Sequence, residues 1–315
     1  MAAGPPTLAA RHLDLSFRTH DPAFADVLGG DPRLLRVVET DAHEGPVYAA
    51  AEDALYFTTV PADGRVAVRR IALDGNRFPL GPERVSTVRA DTDRANGMAL
   101  GPDGSLLVCE QGTRERPARL ARLDPATGVT ETVVDEWRGL PLNSPNDVVV
   151  AGDGSVWFTD PSYGHLQGFR PEPRVPDAVY RYDPAGDRLD AVAAGFDKPN
   201  GLAFSPDERT LYVSDNGGPH ELLALRVTPA GGLGPARRLA VGTPGHPDGL
   251  KVDAAGRIYA SASTGVHVLD PEGGLLGEIR LPGTVNFCFG GPSRNVLFIT
   301  TDTAVWAAVL NARGA

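Results

Sequence analysis

The sequence predicts an all-β fold: a six-bladed β-propeller of four-stranded antiparallel blades. Three observations carry that expectation: a chain saturated with turn formers, a unit that recurs six times, and a repeat length near 50 residues. The 315 residues include 37 glycines and 28 prolines, about a fifth of the chain and spread from end to end. Each costs roughly 1 to 3 kcal/mol inside a helix, which excludes a helical bundle or coiled coil. Many short strands joined by many turns fit the same composition. With 42% hydrophobic residues, the chain has ample material for a packed core.

The recurring unit begins with an element centred on a polar residue. Its copies are HEGPVYA at 43–49, RANGMAL at 94–100, SPNDVVV at 144–150, KPNGLAF at 198–204, HPDGLKV at 246–252 and TVNFCFG at 284–290. The central residues are Glu44, Asn96, Asn146, Asn200, Asp248 and Asn286, spaced by 52, 50, 54, 48 and 38 residues. Several strands per unit at this period is the pattern of a propeller blade.

Each element of the blade has its own signal. The innermost strand follows the polar residue, as in DVVV at 147–150. A turn such as D-G at 153–154 closes a hairpin and sets its register. The second strand is an apolar run ending in a small or acidic residue, as in SVWFTD at 155–160. The third strand reads AVYRYDP, RLARLDP or GVHVLDP, and a more variable outer strand follows. Innermost strands line the channel of a propeller, so the residue just before each one is expected at a single mouth. Repetition alone therefore places the six polar residues in a ring. The last repeat offers only three strands, and LLRVVE at 34–39 is expected to supply the fourth, sealing the ring and removing its edges. The expected organisation is one propeller over 33–315, with residues 1–32 as an arm on its flank.

Charge narrows the partners. Forty acidic residues face thirty basic ones, for a net charge of −10, and no basic run occurs. Neither nucleic acid nor an anionic membrane is an expected partner. No segment reaches the roughly 18 apolar residues of a membrane span. The opening MAAGPPTLAARHLDLSF lacks an apolar run of signal-peptide length, so the expected location is the cytoplasm. Cys109 and Cys288 lie in apolar strand-like runs and are expected as buried thiols. No G-x-S-x-G elbow, P-loop or strand-to-helix G-x-G-x-x-G is found, which disfavours a serine hydrolase or a nucleotide site.

The ring offers only oxygen donors, two carboxylates and several carboxamides. Hard oxygen ligands suit Ca²⁺ or Mg²⁺, and the amide oxygens favour Ca²⁺. Converging carboxylates without a counter-charge would be costly, and a divalent cation removes that cost. Asp248 is the candidate general base, a ring carboxylate with no obvious Lys or Arg beside it in sequence. Attack by its own carboxylate is the open alternative. Around the same mouth, Asn96 and Arg94 of D-R-A-N-G are candidate contacts for substrate hydroxyls. His43, Glu110, Tyr163 and His165 are further candidates for substrate binding. Asp147 and Asp160 read as structural, and Trp137, Trp157 and Trp306 as strand packing.

The stretches HEGPVY, LNSPNDVVVAGDGSVWFTDPSYG, KPNGLAFSPDERTLYVSDNG, HPDGLKVD and FCFGGPSRNVLFIT together resemble the senescence marker protein-30/gluconolactonase/LRE family. GFRPEP…VYRYDP resembles its lactonohydrolase branch. The resemblance covers about 34–315 and implies a six-bladed propeller with one divalent metal on its axis, Ca²⁺ first, with Zn²⁺, Mg²⁺ or Mn²⁺ as alternatives. It implies four metal ligands from the ring: Glu44, Asn146, Asn200 and Asp248. The implied activity is opening of small lactones of the gluconolactone or aldonolactone type by metal-activated water. A phosphotriester or other ester hydrolase, a biosynthetic enzyme and a non-catalytic calcium-binding propeller are the alternatives.

Overall fold

The computed structural model describes residues 16–75, 77–218, 220–239 and 247–315; residues 1–15 of the expected arm and His246 of the H-P-D-G repeat lie outside them. Six antiparallel sheets form the blades. Blade 1 runs through Ala42–Ala49, Ala54–Thr59, Val66–Ala72 and Val85–Thr92, and blade 2 through Ala95–Leu100, Leu106–Glu110, Arg119–Leu123 and Thr130–Val134. Blade 3 is Val148–Val150, Val156–Asp160, Ala178–Asp183 and Arg188–Ala194; blade 4 is Pro199–Phe204, Thr210–Asp215, Glu221–Val227 and Leu233–Arg238. Blade 5 is Leu250–Val252, Ile258–Ala262, Gly265–Leu269 and Leu275–Arg280; blade 6 holds Phe287–Gly290, Val296–Thr300 and Ala304–Val309. The innermost strands touch their neighbours around the full circle, blade 6 returning to blade 1. Among the described residues no helix is long and apolar enough to cross a membrane.

Blade 6 is completed by Arg33–Glu39, which pairs antiparallel with Ala304–Val309. This is the closing strand expected from LLRVVE. Within the arm, Phe17–Thr19 adds a fifth strand to the outer edge of blade 5. Phe24 and Val27, on the short helix Phe24–Leu28, are fully buried against blades 5 and 6. The arm has no copy of the repeat, so periodicity gave no sign of this strand.

The hairpin turns are the repeat made visible. Gly101 N–H donates to Ser105 O at 2.8 Å, Ala151 to Ser155 at 2.9 Å and Asp253 to Arg257 at 3.0 Å. Gly104, Gly154 and Gly256 hold φ of 83°, 84° and 84° at the same turn position, a region that glycine enters freely. Blade 4 has no glycine there. Glu208 takes φ 54° instead, and its carboxylate accepts Gly152 N–H from blade 3 at 2.8 Å.

Second strands are buried along their whole length in blades 1, 2, 3, 5 and 6. Their large side chains fill the spaces between blades; Phe158 clusters with Leu107 and Cys109 of blade 2 and stacks on Tyr180 of its own blade at 5.5 Å. Burying one such side chain stabilises the fold by roughly 2 to 3 kcal/mol. Trp157 packs edge-on against Phe204 and Trp137 against Tyr180, while Trp306 packs against the blade 5–6 core. In blades 1, 3 and 4 a hydroxyl near the second strand's end also reaches the next blade. Thr58 Oγ1 donates to Asn96 O at 3.2 Å, Thr159 Oγ1 to Asn200 O at 2.7 Å and Ser214 Oγ to Asp248 O at 3.3 Å. These contacts fix the entry of the innermost strands of blades 2, 4 and 5 relative to the preceding blade.

Candidate active site

The six polar residues of the repeat converge at one mouth of the axis. Asn146, Asp248 and Asn286 precede their innermost strands, as expected. Glu44, Asn96 and Asn200 instead lie inside theirs, each at an irregularity in the pairing with the second strand. There the ladder bulges, so pairing starts before the polar residue without carrying its side chain away from the axis.

Glycines bring the strands close. A side chain at Gly45 would place Cβ 2.5 Å from Asn96 O, and one at Gly201 would place it 2.2 Å from Asp248 O. The glycine that follows a ring residue is therefore the space into which the next blade's ring residue fits. Asn286 closes the circle by donating from Nδ2 to Glu44 Oε2 at 2.8 Å. Gly45 N–H donates to the same oxygen at 2.9 Å.

A cavity of about 440 Å³ opens over this ring. Its walls include His43, Glu44, Arg94, Asn96, Asn146, Tyr163, Asn200 and Asp248, eight of the ten residues proposed from sequence for the site. Glu110 and His165 are not on the wall. Glu110 is buried at the end of its strand, where its carboxylate accepts from Arg119 Nε at 2.6 Å. Strand alternation sends it into the blade, while its neighbour Gln111 faces the cavity. His165 is exposed on the short helix Tyr163–Leu166, whose first residue, Tyr163, faces the cavity.

Lys198 and Asn216 also line the cavity and were missed. Asn216 follows the second strand of blade 4 as Gln111 follows that of blade 2, so the repeat register held the signal. Lys198 donates from Nζ to Asp177 Oδ2 at 3.0 Å. Arg94 takes φ 58° and lays its guanidinium over Phe169, 4.1 Å from the ring centroid. Phe169 belongs to G-F-R-P-E-P. The next residue, Arg170, is buried and donates to the carbonyls of Leu142, Asn143, Thr113 and Arg116. That motif thus braces the Arg94 side of the cavity and ties together loops of two blades.

The electrostatics of the ring are strained. Burial pushes the Glu44 carboxyl up, His43 opposes that shift and Asp147 adds to it. Asp248 is pushed well above the usual range, first by burial and then by the negative charge of Glu44 and Asp147. Lys251, three residues beyond Asp248, opposes that shift. No Lys or Arg adjoins Asp248 in sequence, yet the fold brings Lys251 Nζ within 3.8 Å of Asp147 Oδ2, close enough for its charge to bear on Asp248. Burial raises Tyr163 to about 12, so its phenol is protonated at neutral pH.

Oxygen atoms in the ring lack partners. Glu44 Oε1 and Asn96 Oδ1 are buried without a hydrogen bond, as is Asp147 Oδ2. Among the described residues no group of three or more His, Cys, Asp or Glu side chains is arranged to hold a metal ion. The ring instead pairs two carboxylates with carboxamides. Orphaned, oxygen-only donors around excess negative charge fit a hard divalent cation.

Fold and site define a class: a six-bladed propeller with a carboxylate and carboxamide ring under a pocket at one end of its axis. Residues 42–303 match the family model described as SMP-30/Gluconolactonase/LRE-like region. A gluconolactonase of Zymomonas mobilis is 34% identical over 298 residues, covering 85% of this chain and 82% of that protein. A solved gluconolactonase structure from Xanthomonas campestris is 36% identical with a TM-score of 0.81, covering 94% of this chain and 95% of that one. A lactonohydrolase of Aspergillus oryzae is 28% identical, over 86% of this chain and 69% of that protein. The chain belongs to the SMP-30/gluconolactonase/LRE family.

Proposed function

We propose that the chain opens small sugar-type lactones with the aid of one divalent cation held by Glu44, Asn146, Asn200 and Asp248. That it is a gluconolactonase-like lactone hydrolase rests on 34–36% identity to gluconolactonases over most of its length. The observation that carries the cation reading is the convergence of these four residues beneath the cavity, with Glu44 Oε1 unpartnered. Ca²⁺ suits the donor set best, with Mg²⁺, Mn²⁺ or Zn²⁺ as alternatives.

When bound, the cation supplies Lewis-acid polarisation of the lactone carbonyl. The chain's own residues do the rest. Asp248 accepts the proton of the attacking water as the water oxygen bonds to the carbonyl carbon. The ring C–O bond then breaks, and the departing alkoxide takes up that proton to give the hydroxy acid. Arg94 and Asn96 orient substrate hydroxyls on one wall, and the Tyr163 phenol donates from another. His43, held by Asp302 Oδ1 at 2.6 Å, shapes the rim.

A pH-stat assay over a lactone panel, corrected for spontaneous hydrolysis, tests the reading, with a fluorophosphate as the control substrate. Aldonolactones are expected to turn over, and chelator to abolish turnover until a divalent salt is restored. Absence of lactone turnover in the metal-loaded protein overturns the substrate assignment. Full turnover after exhaustive metal removal overturns the cation.

A further inference from the structure

Beside the ring lie a third carboxylate, on Asp147 just before the innermost strand of blade 3, and one ammonium, on Lys251 within that of blade 5. Asp147 is buried, and its Oδ2 makes no hydrogen bond. Lys251 Nζ lies 3.8 Å from that oxygen, an ion pair just beyond hydrogen-bonding distance, and donates instead to Leu250 O at 2.9 Å. The two side chains come from blades 3 and 5, which blade 4 separates. The negative charge of Asp147 reaches both Glu44 and Asp248, and the positive charge of Lys251 reaches both Asp147 and Asp248.

The charges can be counted. Glu44, Asp147 and Asp248, when ionised, place three negative charges near the axis, and Lys251 removes one. Two remain, which is the charge of a single divalent cation. Without Lys251 the axis would carry a third, unmatched charge, with a second carboxylate oxygen free to turn toward a cation. Attraction between such groups is strong where water is scarce.

We infer that Lys251 is a fixed counter-cation of the channel, which holds Asp147 out of the ring and limits both the tightness and the number of divalent cations bound there. Lys251 is a positioning residue: it acts through Asp147 and the ring and does not touch substrate. The inference rests on the cation reading above and deepens it. A weaker grip keeps the ring from being filled on both sides and leaves a cation free to exchange.

Calorimetric titration of the demetallated full chain with CaCl₂ tests it, using wild type, Lys251→Met, Lys251→Arg and Lys251→Met/Asp147→Asn. The expected outcome is one Ca²⁺ per wild-type chain and affinity raised at least about tenfold in Lys251→Met. Lys251→Arg should stay near wild type, and the double variant should return to within about threefold of it. Unchanged or weaker Ca²⁺ affinity in Lys251→Met overturns the inference and leaves the cation reading intact. A wild-type chain that binds no divalent cation overturns the cation reading and the inference with it. If Lys251→Met does not fold, Asp147→Asn carries the test. Its unmatched ammonium should weaken Ca²⁺ binding at least about threefold, and unchanged affinity overturns the inference.

Discussion

Asn286 and Glu44 stand 242 residues apart in the chain, and 2.8 Å separates Asn286 Nδ2 from Glu44 Oε2. The contact joins the last innermost strand to the first. It also divides the work of the Glu44 carboxylate: Oε2 is held by the protein and Oε1 is left without a partner. Asn286 belongs to the repeat ring but not to the cavity wall, so its role is to aim Glu44.

Asn286→Ala is therefore expected to act twice. Losing a buried donor to a carboxylate should cost about 1 to 3 kcal/mol of stability, measured by urea unfolding. Divalent cation affinity should fall as well, because Glu44 loses its orientation. Unchanged cation affinity in a folded variant would contradict the aiming role.

Asp248→Asn should leave the fold in place, since the backbone N–H of residue 248 still meets Ser261 Oγ, at 2.7 Å in the native chain. Turnover should fall by roughly 10² to 10⁴ if the carboxylate is the general base. Circular dichroism and the lactone assay on one sample separate loss of chemistry from loss of structure. Near-normal turnover would remove Asp248 from the mechanism.

Asp160 gives the fold a pH dependence. Burial raises its carboxyl to about 7, against the N–H groups of Asn143 and Ser144 that favour the charged form. A folded value above the unfolded one means the contribution to stability is fully present below about pH 4 and lost as pH rises to about 7. In Asp160→Asn that part of the profile should flatten. Urea midpoints measured from pH 4 to 8 for both chains provide the check, and parallel profiles would refute the assignment.

The two thiols should be silent. Cys109 is fully buried and Cys288 nearly so, both are unpaired, and burial pushes Cys288 up to about 12. Ellman's reagent should label neither in the native protein and both after unfolding in guanidinium. Rapid labelling of the native chain would mean that the blade interiors open readily.

What was legible in the sequence was whatever recurred. Glu44, Asn146, Asn200 and Asp248 could be placed together because each opens the same element of a repeat, and the closing strand followed from a missing fourth. Glu110 was misplaced because strand alternation decides between it and Gln111, and a one-residue shift reverses the face. His165 was misplaced because a short helix interrupts the blade pattern, turning Tyr163 and Leu166 to the cavity and His165 to solvent. The pairing of Lys251 with Asp147 was hidden because it joins two blades that are not neighbours, with blade 4 between them. The fifth strand at Phe17–Thr19 had no second copy to reveal it.

The strand Arg33–Glu39 is made before any blade, and its partner Ala304–Val309 is made near the end of the chain. On a ribosome, five blades can assemble while both sides of the final seam still expose unpaired backbone. The ring becomes continuous only when the last hairpin emerges. Until then blade 6 cannot be completed, and the seam that holds Asn286 against Glu44 is open on one side. A ribosome-bound chain stalled just short of residue 304 should thus hold most of a propeller and none of its chemistry.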